Sequence, residues 1–284
     1  SGNMLLSKNP DTFLPRLWPS YFQKTKGCYI WDLDGKKYID MSTMSVGTNV
    51  LGYNNLKVDN AVKKIIKKGN MSTLNCPEEV HLAKELIRTH KWASFAKFAR
   101  TGAEANSIAI RIARSHNKKK KIAICGYHGW HDWYLSTNLG LKDGLKDHLL
   151  PGLSSSGIPL GLKNTVYQFK FNSIDSFKKL IKSKKIGIVI MEVARSKKPK
   201  KNFLQEIRKI CTKNKISLIF DECTTGFREN YGGMHKVYKI NPDIAVFGKA
   251  IGNGYAITAV ICRKEYKESA EQTFISSTFW TERI

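Results

Sequence analysis

Lys249 stands in F-G-K-A-I-G-N-G-Y, residues 247–255, directly after an apolar run and among small residues. Most lysines of this chain lie in plainly solvated company; this one does not. An amine held in a low-dielectric pocket loses its proton more readily and becomes a nucleophile for Schiff-base chemistry. A second run, I-F-D-E-C-T-T-G-F-R at 219–228, ends a wholly apolar stretch on a carboxylate pair. Asp221 or Glu222 must then be partnered or unusual, because an isolated buried carboxylate is costly. One such carboxylate facing a ring nitrogen would hold that nitrogen protonated; a helix or turn cap is the other use of the same residues.

Two more motifs carry complementary chemistry. In R-T-G-A-E-A, 100–105, a strand ends and a helix begins. The N–H groups of Thr101, Gly102 and Ala103, with the Thr101 hydroxyl, make an anion seat suited to a phosphate. An ordinary turn with Thr101 as N-cap fits the same letters. In G-Y-H-G-W-H-D, 126–132, a flat ring such as Tyr127 or His128 could stack on a planar group. The motif follows a strand, at the edge where parallel sheets bind ligands. His128 and His131 are three apart, yet no further Cys, His or carboxylate pattern completes a metal site, so no metal is expected.

Those side chains need a scaffold. Short apolar, β-branched runs at 96–100, 121–125, 164–169, 186–191, 216–220, 244–247 and 256–262 read as strands. Helical spacing lies between them at 103–117, 173–184, 201–214 and, briefly, near 229–239. Continuous apolar runs separated by helices imply βαβ units and a mainly parallel seven-stranded sheet, an α/β fold. Residues 1–50 differ: Y-I-W-D-L-D-G-K-K-Y-I-D-M reads as a β-hairpin about Asp34-Gly35. Helices at 55–69 and 78–91 follow, the second opening at Pro77. Residues 135–163 read as a long loop, of the kind that is functional or mobile.

Composition bounds the rest. The 284 residues are 42% hydrophobic, enough for a sizeable core, which excludes a disordered or collagen-like chain. No apolar run reaches membrane-spanning length. The six cysteines form no CxxC pair, so a reduced, cytoplasmic protein is expected. Residues 1–3 read as a tag remnant. The charge is +25, from 48 Lys and Arg against 23 Asp and Glu. It lies mainly in helix-like runs such as K-V-D-N-A-V-K-K-I-I-K-K and A-R-S-K-K-P-K-K-N-F-L-Q-E-I-R, which reads as a solvated lysine surface. No nucleic-acid motif accompanies it, and no nucleic-acid partner is expected.

A phosphate seat, a flat ring, a buried acid and a buried amine are the four groups that pyridoxal 5′-phosphate requires. The chain resembles the class III aminotransferases of the fold-type I pyridoxal-phosphate enzymes, and most the glutamate-1-semialdehyde 2,1-aminomutase branch. The likeness runs from D-L-D-G-K-K-Y-I-D through S-V-G-T-N-V-L-G-Y, T-G-A-E-A-N, Y-H-G, D-E-C-T-T-G-F-R and G-K-A-I-G-N-G to S-S-T-F-W. The resemblance implies that Lys249 forms the cofactor imine and later moves the substrate α-proton. It implies that Asp221 pairs with the pyridinium nitrogen with Glu222 in the same network, and that Thr101, Gly102 and Ala103 hold the phosphate. Tyr127 would cover one ring face and Cys223 the other, with His128 and Glu192 among the cofactor contacts. Ser45 and Val46 match a substrate-side loop. Thr278 matches a threonine reaching the neighbouring site of a homodimer. The implied activity is aminotransferase or aminomutase chemistry on a small amino or carbonyl substrate; the alternatives are a transaminase acting on an amino sugar or other carbonyl substrate in polysaccharide biosynthesis, or a catalytically impaired cofactor-binding fragment. The implied organisation is an N-terminal segment (1–50), a large cofactor domain (51–284) and an absent C-terminal small domain. Against the family pattern, T-G-A replaces S-G-T, Val193 replaces a proline, and Asn253 replaces a glycine.

Overall fold

The computed structural model describes residues 5, 8–14, 16–139, 145 and 156–284. Near the amino terminus β1 (Phe22–Lys26), β2 (Tyr29–Asp32) and β3 (Lys37–Ile39) form a small antiparallel sheet. The hairpin about Gly35 is as expected. Strand β1 is an addition: F-Q-K-T-K pairs along β2 from Phe22 to Lys26, although its own pattern is polar and mostly exposed. Its order comes from the neighbour, a context that periodicity does not encode.

The main sheet holds β4 (Phe95–Ala99), β5 (Lys121–Cys125), β6 (Val166–Gln168), β7 (Ile186–Glu192), β8 (Ser217–Asp221), β9 (Ile244–Phe247) and β10 (Thr258–Cys262). Their order is β4-β10-β9-β8-β7-β5-β6. From β9 to β6 every pairing is parallel; β10 runs antiparallel to both its neighbours. All residues of β7, β8, β9 and β10 are buried, as their unbroken apolar runs require. Alternate residues feed two cores. Ile188, Ile190 and Ile219 pack with Ile108, Ile112 and Ala113 of the helix Gly102–His116. Val189, Met191, Leu218 and Phe220 pack with Phe177 of the helix Ile174–Ser183 and Ile207 of the helix Phe203–Lys213.

The helices Leu56–Ile66 and Pro77–Thr89 precede the sheet, and the short one near 229–239 is confined to Met234–Val237. One expectation fails instructively. The basic run 194–201 is not a helix face; it is a loop, because Asn202 takes φ 64° and the helix begins only at Phe203. Of the expected loop 135–163, residues 140–144 and 146–155 lie outside the described residues, as does the supposed tag at 1–3. Among the described residues no helix is long and apolar enough to cross a membrane.

Candidate active site

Each chemistry-bearing motif follows a strand of the main sheet, and β4, β5, β7, β8 and β9 all run the same way. Their carboxyl ends therefore open on one edge, where strand ends and helix starts meet. At the end of β8, Asp221 is 3% exposed. Its Oδ2 accepts from His128 Nδ1 and Asn106 Nδ2, each at 2.8 Å, and its Oδ1 accepts from the Cys223 N–H at 3.0 Å. Burial pushes this carboxyl upward, but His128, Cys223 and Asn106 outweigh it and hold it below the ordinary aspartate value. It stays ionised at neutral pH.

Parallel pairing sets Glu192 beside Asp221 in register. Glu192 goes the other way: burial, then the neighbouring Asp221 charge, raise its carboxyl. Its Oε2 accepts from the Tyr127 N–H at 3.0 Å and faces Arg195 at 3.5 Å. Gly126, with φ 122°, makes this possible, since a Cβ there would lie 2.6 Å from Glu192 Oε2. The Tyr127 ring is part-exposed, with the Arg195 guanidinium 5.6 Å over it.

Lys249 emerges from β9 with φ 49°, and its Nζ donates to Thr224 Oγ1 at 3.0 Å. Burial lowers its pKa, while Cys223, Asp221 and Glu192 partly offset that effect. The three acidic groups are thus its electrostatic neighbours. The Cys223 thiol, raised well above its ordinary value by burial and Asp221, is inert as a nucleophile. It packs between Gly102 and Gly248: a Cβ on either would lie 3.3 or 3.4 Å from its Sγ.

At the helix start, Thr101 Oγ1 accepts from Glu104 N and Glu104 Oε2 accepts from Arg100 N. This reciprocal cap leaves the first-turn N–H groups of Gly102 and Ala103 at the same edge. The turn expected as an anion seat is, in the structure, a capped helix start.

Two residues sit differently from what the sequence implies. Glu222, fully buried, is not in the Asp221 network. It turns to the opposite side and accepts from the Thr225 hydroxyl, the Met234 and His235 N–H groups and His235 Nδ1. Successive residues at a strand end point to opposite faces, so only one of the pair can serve the site. His128 is 1% exposed and spent on Asp221; it orients that carboxylate and offers no free ring face. His131 turns from it to Ser107. Ser45 and Val46 lie in the segment Thr43–Gly47, which packs against Lys249–Ile251 and runs through left-handed φ values of 58° and 57° at those two positions. That is a strained conformation, above all for a β-branched valine. Thr278 is exposed, next to Phe279, whose carbonyl Arg100 holds at 2.6 Å.

Sequence reasoning misses Asn106, Thr224 and Arg195. Asn106 had a signal, being the one amide on the buried face of an otherwise apolar helix stripe. Arg195 had none, because it hides in a basic run.

Comparisons with known proteins bear on the family and the fold. A 3-aminobutyryl-CoA aminotransferase of Cloacimonas acidaminovorans (strain Evry) is 35% identical over 289 residues, covering 98% of this chain and 66% of that protein. A glutamate-1-semialdehyde 2,1-aminomutase of Methanocaldococcus jannaschii is 37% identical over 261 residues, covering 88% of this chain and 59% of the relative. The chain thus spans about two thirds or less of the relatives it matches. Among solved structures, the PLP internal aldimine form of the Sphingopyxis sp. MTA144 FumI protein superposes with a TM-score of 0.84 at 26% identity, over 95% of this chain and 63% of that one. An omega-transaminase from Sphaerobacter thermophilus, at 23% identity and TM-score 0.82 over 99% of this chain and 70% of its own, shares the fold. The sequence profile described as aminotransferase class-III matches residues 16–284. The chain belongs to the class-III aminotransferase family.

Proposed function

We propose that this chain binds pyridoxal 5′-phosphate between Asp221 and Lys249 and uses it to move amino groups between amine and carbonyl carbons. The observation that carries the reading is a buried carboxylate held ionised beside a half-buried lysine on the adjacent strand end. The residues fit the group. Asp221 has only neutral amide donors besides His128, so it retains charge for a protonated ring nitrogen. The buried Asn106 Oδ1 and His128 Nε2 have no partner of their own, leaving polar capacity around that carboxylate. Glycines at 102 and 248 let Cys223 lie close against the helix start and the turn before Lys249, where a Cβ would crowd its Sγ.

When bound, the cofactor supplies an electron sink that acidifies the carbon bearing the amino group. The protein's residues do the remainder. Asp221 keeps the ring nitrogen protonated. Lys249, as a free amine, would be the residue that holds the cofactor aldehyde, and its Nζ would be the group that takes and returns the substrate α-proton. The N–H groups of Thr101, Gly102 and Ala103 hold the phosphate. Tyr127 and Cys223 would pack against the bound ring, and Arg195 restrains Tyr127 and Glu192. Ser45 and Val46 meet the substrate. Thr278 reaches the site of a second copy, which makes the working unit a homodimer.

At the level of substrate, the aminomutase reading draws on the 37% identical relative, in which the amino group returns to another carbon of the same molecule. A second reading, transfer to or from a 3-amino acyl thioester, is favoured by the 35% identical aminotransferase, whose likeness extends over 98% of this chain. The test is spectral. The protein mixed with pyridoxal phosphate should gain a near-visible band, absent from Lys249→Ala. Adding 4,5-diaminovalerate, 3-aminobutyryl-CoA or amino sugars should bleach it with the true donor alone. A wild-type protein that never develops the band overturns the reading.

A further inference from the structure

The chain leaves β7 at Glu192 and runs through A-R-S-K-K-P-K-K-N before its next helix. Five cations fall within residues 195–201 (Arg195, Lys197, Lys198, Lys200 and Lys201), with no carboxylate among them. Arg195 reaches into the site, 3.5 Å from Glu192 and over the Tyr127 ring. The four lysine side chains are exposed and have no hydrogen-bond or ion-pair partner among the described residues. Their backbone, in contrast, is tied down. Asn172, at φ 60°, donates from Nδ2 to the Lys198 carbonyl at 3.0 Å and accepts from the Lys200 N–H at 2.8 Å. The Phe203–Lys213 helix then starts with no side-chain cap, adding the positive end of its dipole to the same loop.

Like charges fixed on a pinned backbone repel one another, and an anion relieves that cost. The chemistry of the anion follows from the residue types. A forked guanidinium matches one carboxylate or one phosphate in two bonds, whereas ammonium groups are mobile point charges, and several in a row suit charge spread over successive phosphates. Pinning the backbone beforehand reduces what ordering the loop would cost on binding.

We infer that residues 195–201 form a phosphate-binding rim of the active site, which takes the nucleoside-diphosphate handle of the substrate while Arg195 lies on the side of the reacting group. The inference rests on the amino-transfer reading above and narrows its substrate to one carrying such a handle: an acyl-coenzyme A or a nucleotide-linked amino sugar.

Isothermal titration of the cofactor-loaded protein with coenzyme A, UDP and pantetheine tests it. Coenzyme A or UDP should bind, identifying the acyl-thioester or the sugar-nucleotide source, and more weakly as salt is raised. Pantetheine, which lacks the phosphates, should bind no better to wild type than to a rim variant combining Lys197→Gln, Lys198→Gln, Lys200→Gln and Lys201→Gln. The rim variant should lose about tenfold or more in affinity for the nucleotide. A control combining Lys178→Gln, Lys179→Gln, Lys182→Gln and Lys185→Gln removes equal charge from the Ile174–Ser183 helix and the turn after it, and should keep wild-type affinity. Binding of neither nucleotide, affinity indifferent to salt, or equal loss in rim and control variants would each overturn the rim. The near-visible band, recorded on every sample, reports separately on the amino-transfer reading.

Discussion

Asp221 draws its role from three donors, and each can be removed singly. Asp221→Asn keeps the volume but removes the charge, and should lower turnover on the order of 100-fold or more while the near-visible band still forms. Asn106→Ala strips one donor from a buried carboxylate and should cost about 1–3 kcal/mol in thermal denaturation, with the band retained. Lys249 sets the pH dependence. Burial depresses its pKa, so the neutral amine becomes the majority form at a pH below the ordinary lysine value. The rate of band formation should rise with pH and level off with its midpoint below that value; a midpoint at or above it would contradict the buried placement. Lys249, Asp221 and the Thr101 turn were legible from sequence because each breaks the pattern of its own run. Asn106 and Arg195 became visible only through their partners.

At the scale of elements, the turns after the strands decide what points where. Gly126 lets β5 end against Glu192 at a φ open to glycine; Gly126→Ala should cost about 2 kcal/mol and loosen Tyr127, read as a lower melting temperature and weaker cofactor retention. Glu222 anchors the segment 225–235 through four donors. Glu222→Ala should destabilise by about 3 kcal/mol while leaving the band's position unchanged, since the residue faces away from Asp221. A shifted band would return Glu222 to the cofactor network. From letters alone, D-E at a strand end cannot say which acid serves the site. The register of β8 between β7 and β9, with Asp221 opposite Glu192 and Val246, makes that choice.

For the whole molecule, the amino-terminal segment leaves large apolar side chains in solvent, with Leu17 74%, Phe22 65% and Met41 87% exposed. Exposed apolar groups on this scale mark association surfaces. The proposed homodimer should appear in sedimentation equilibrium as twice 32.2 kDa, and a monomer at micromolar concentration would oppose it. The +25 charge gives this unit an attractive long-range field for anionic substrates, which salt should weaken.

Hydrophobic runs and their spacing sufficed to determine seven strands, four of them wholly buried, the helices between them and the edge where the chemistry gathers. Local patterns carry that information because burial on both faces demands unbroken apolar residues. Which acid faces inward, that His128 stands behind Asp221, and that a run of lysines is a tethered loop were settled only in three dimensions. Those outcomes depend on partners distant in sequence, such as Asn172 at Lys198 or His128 at Asp221, and no local periodicity records them.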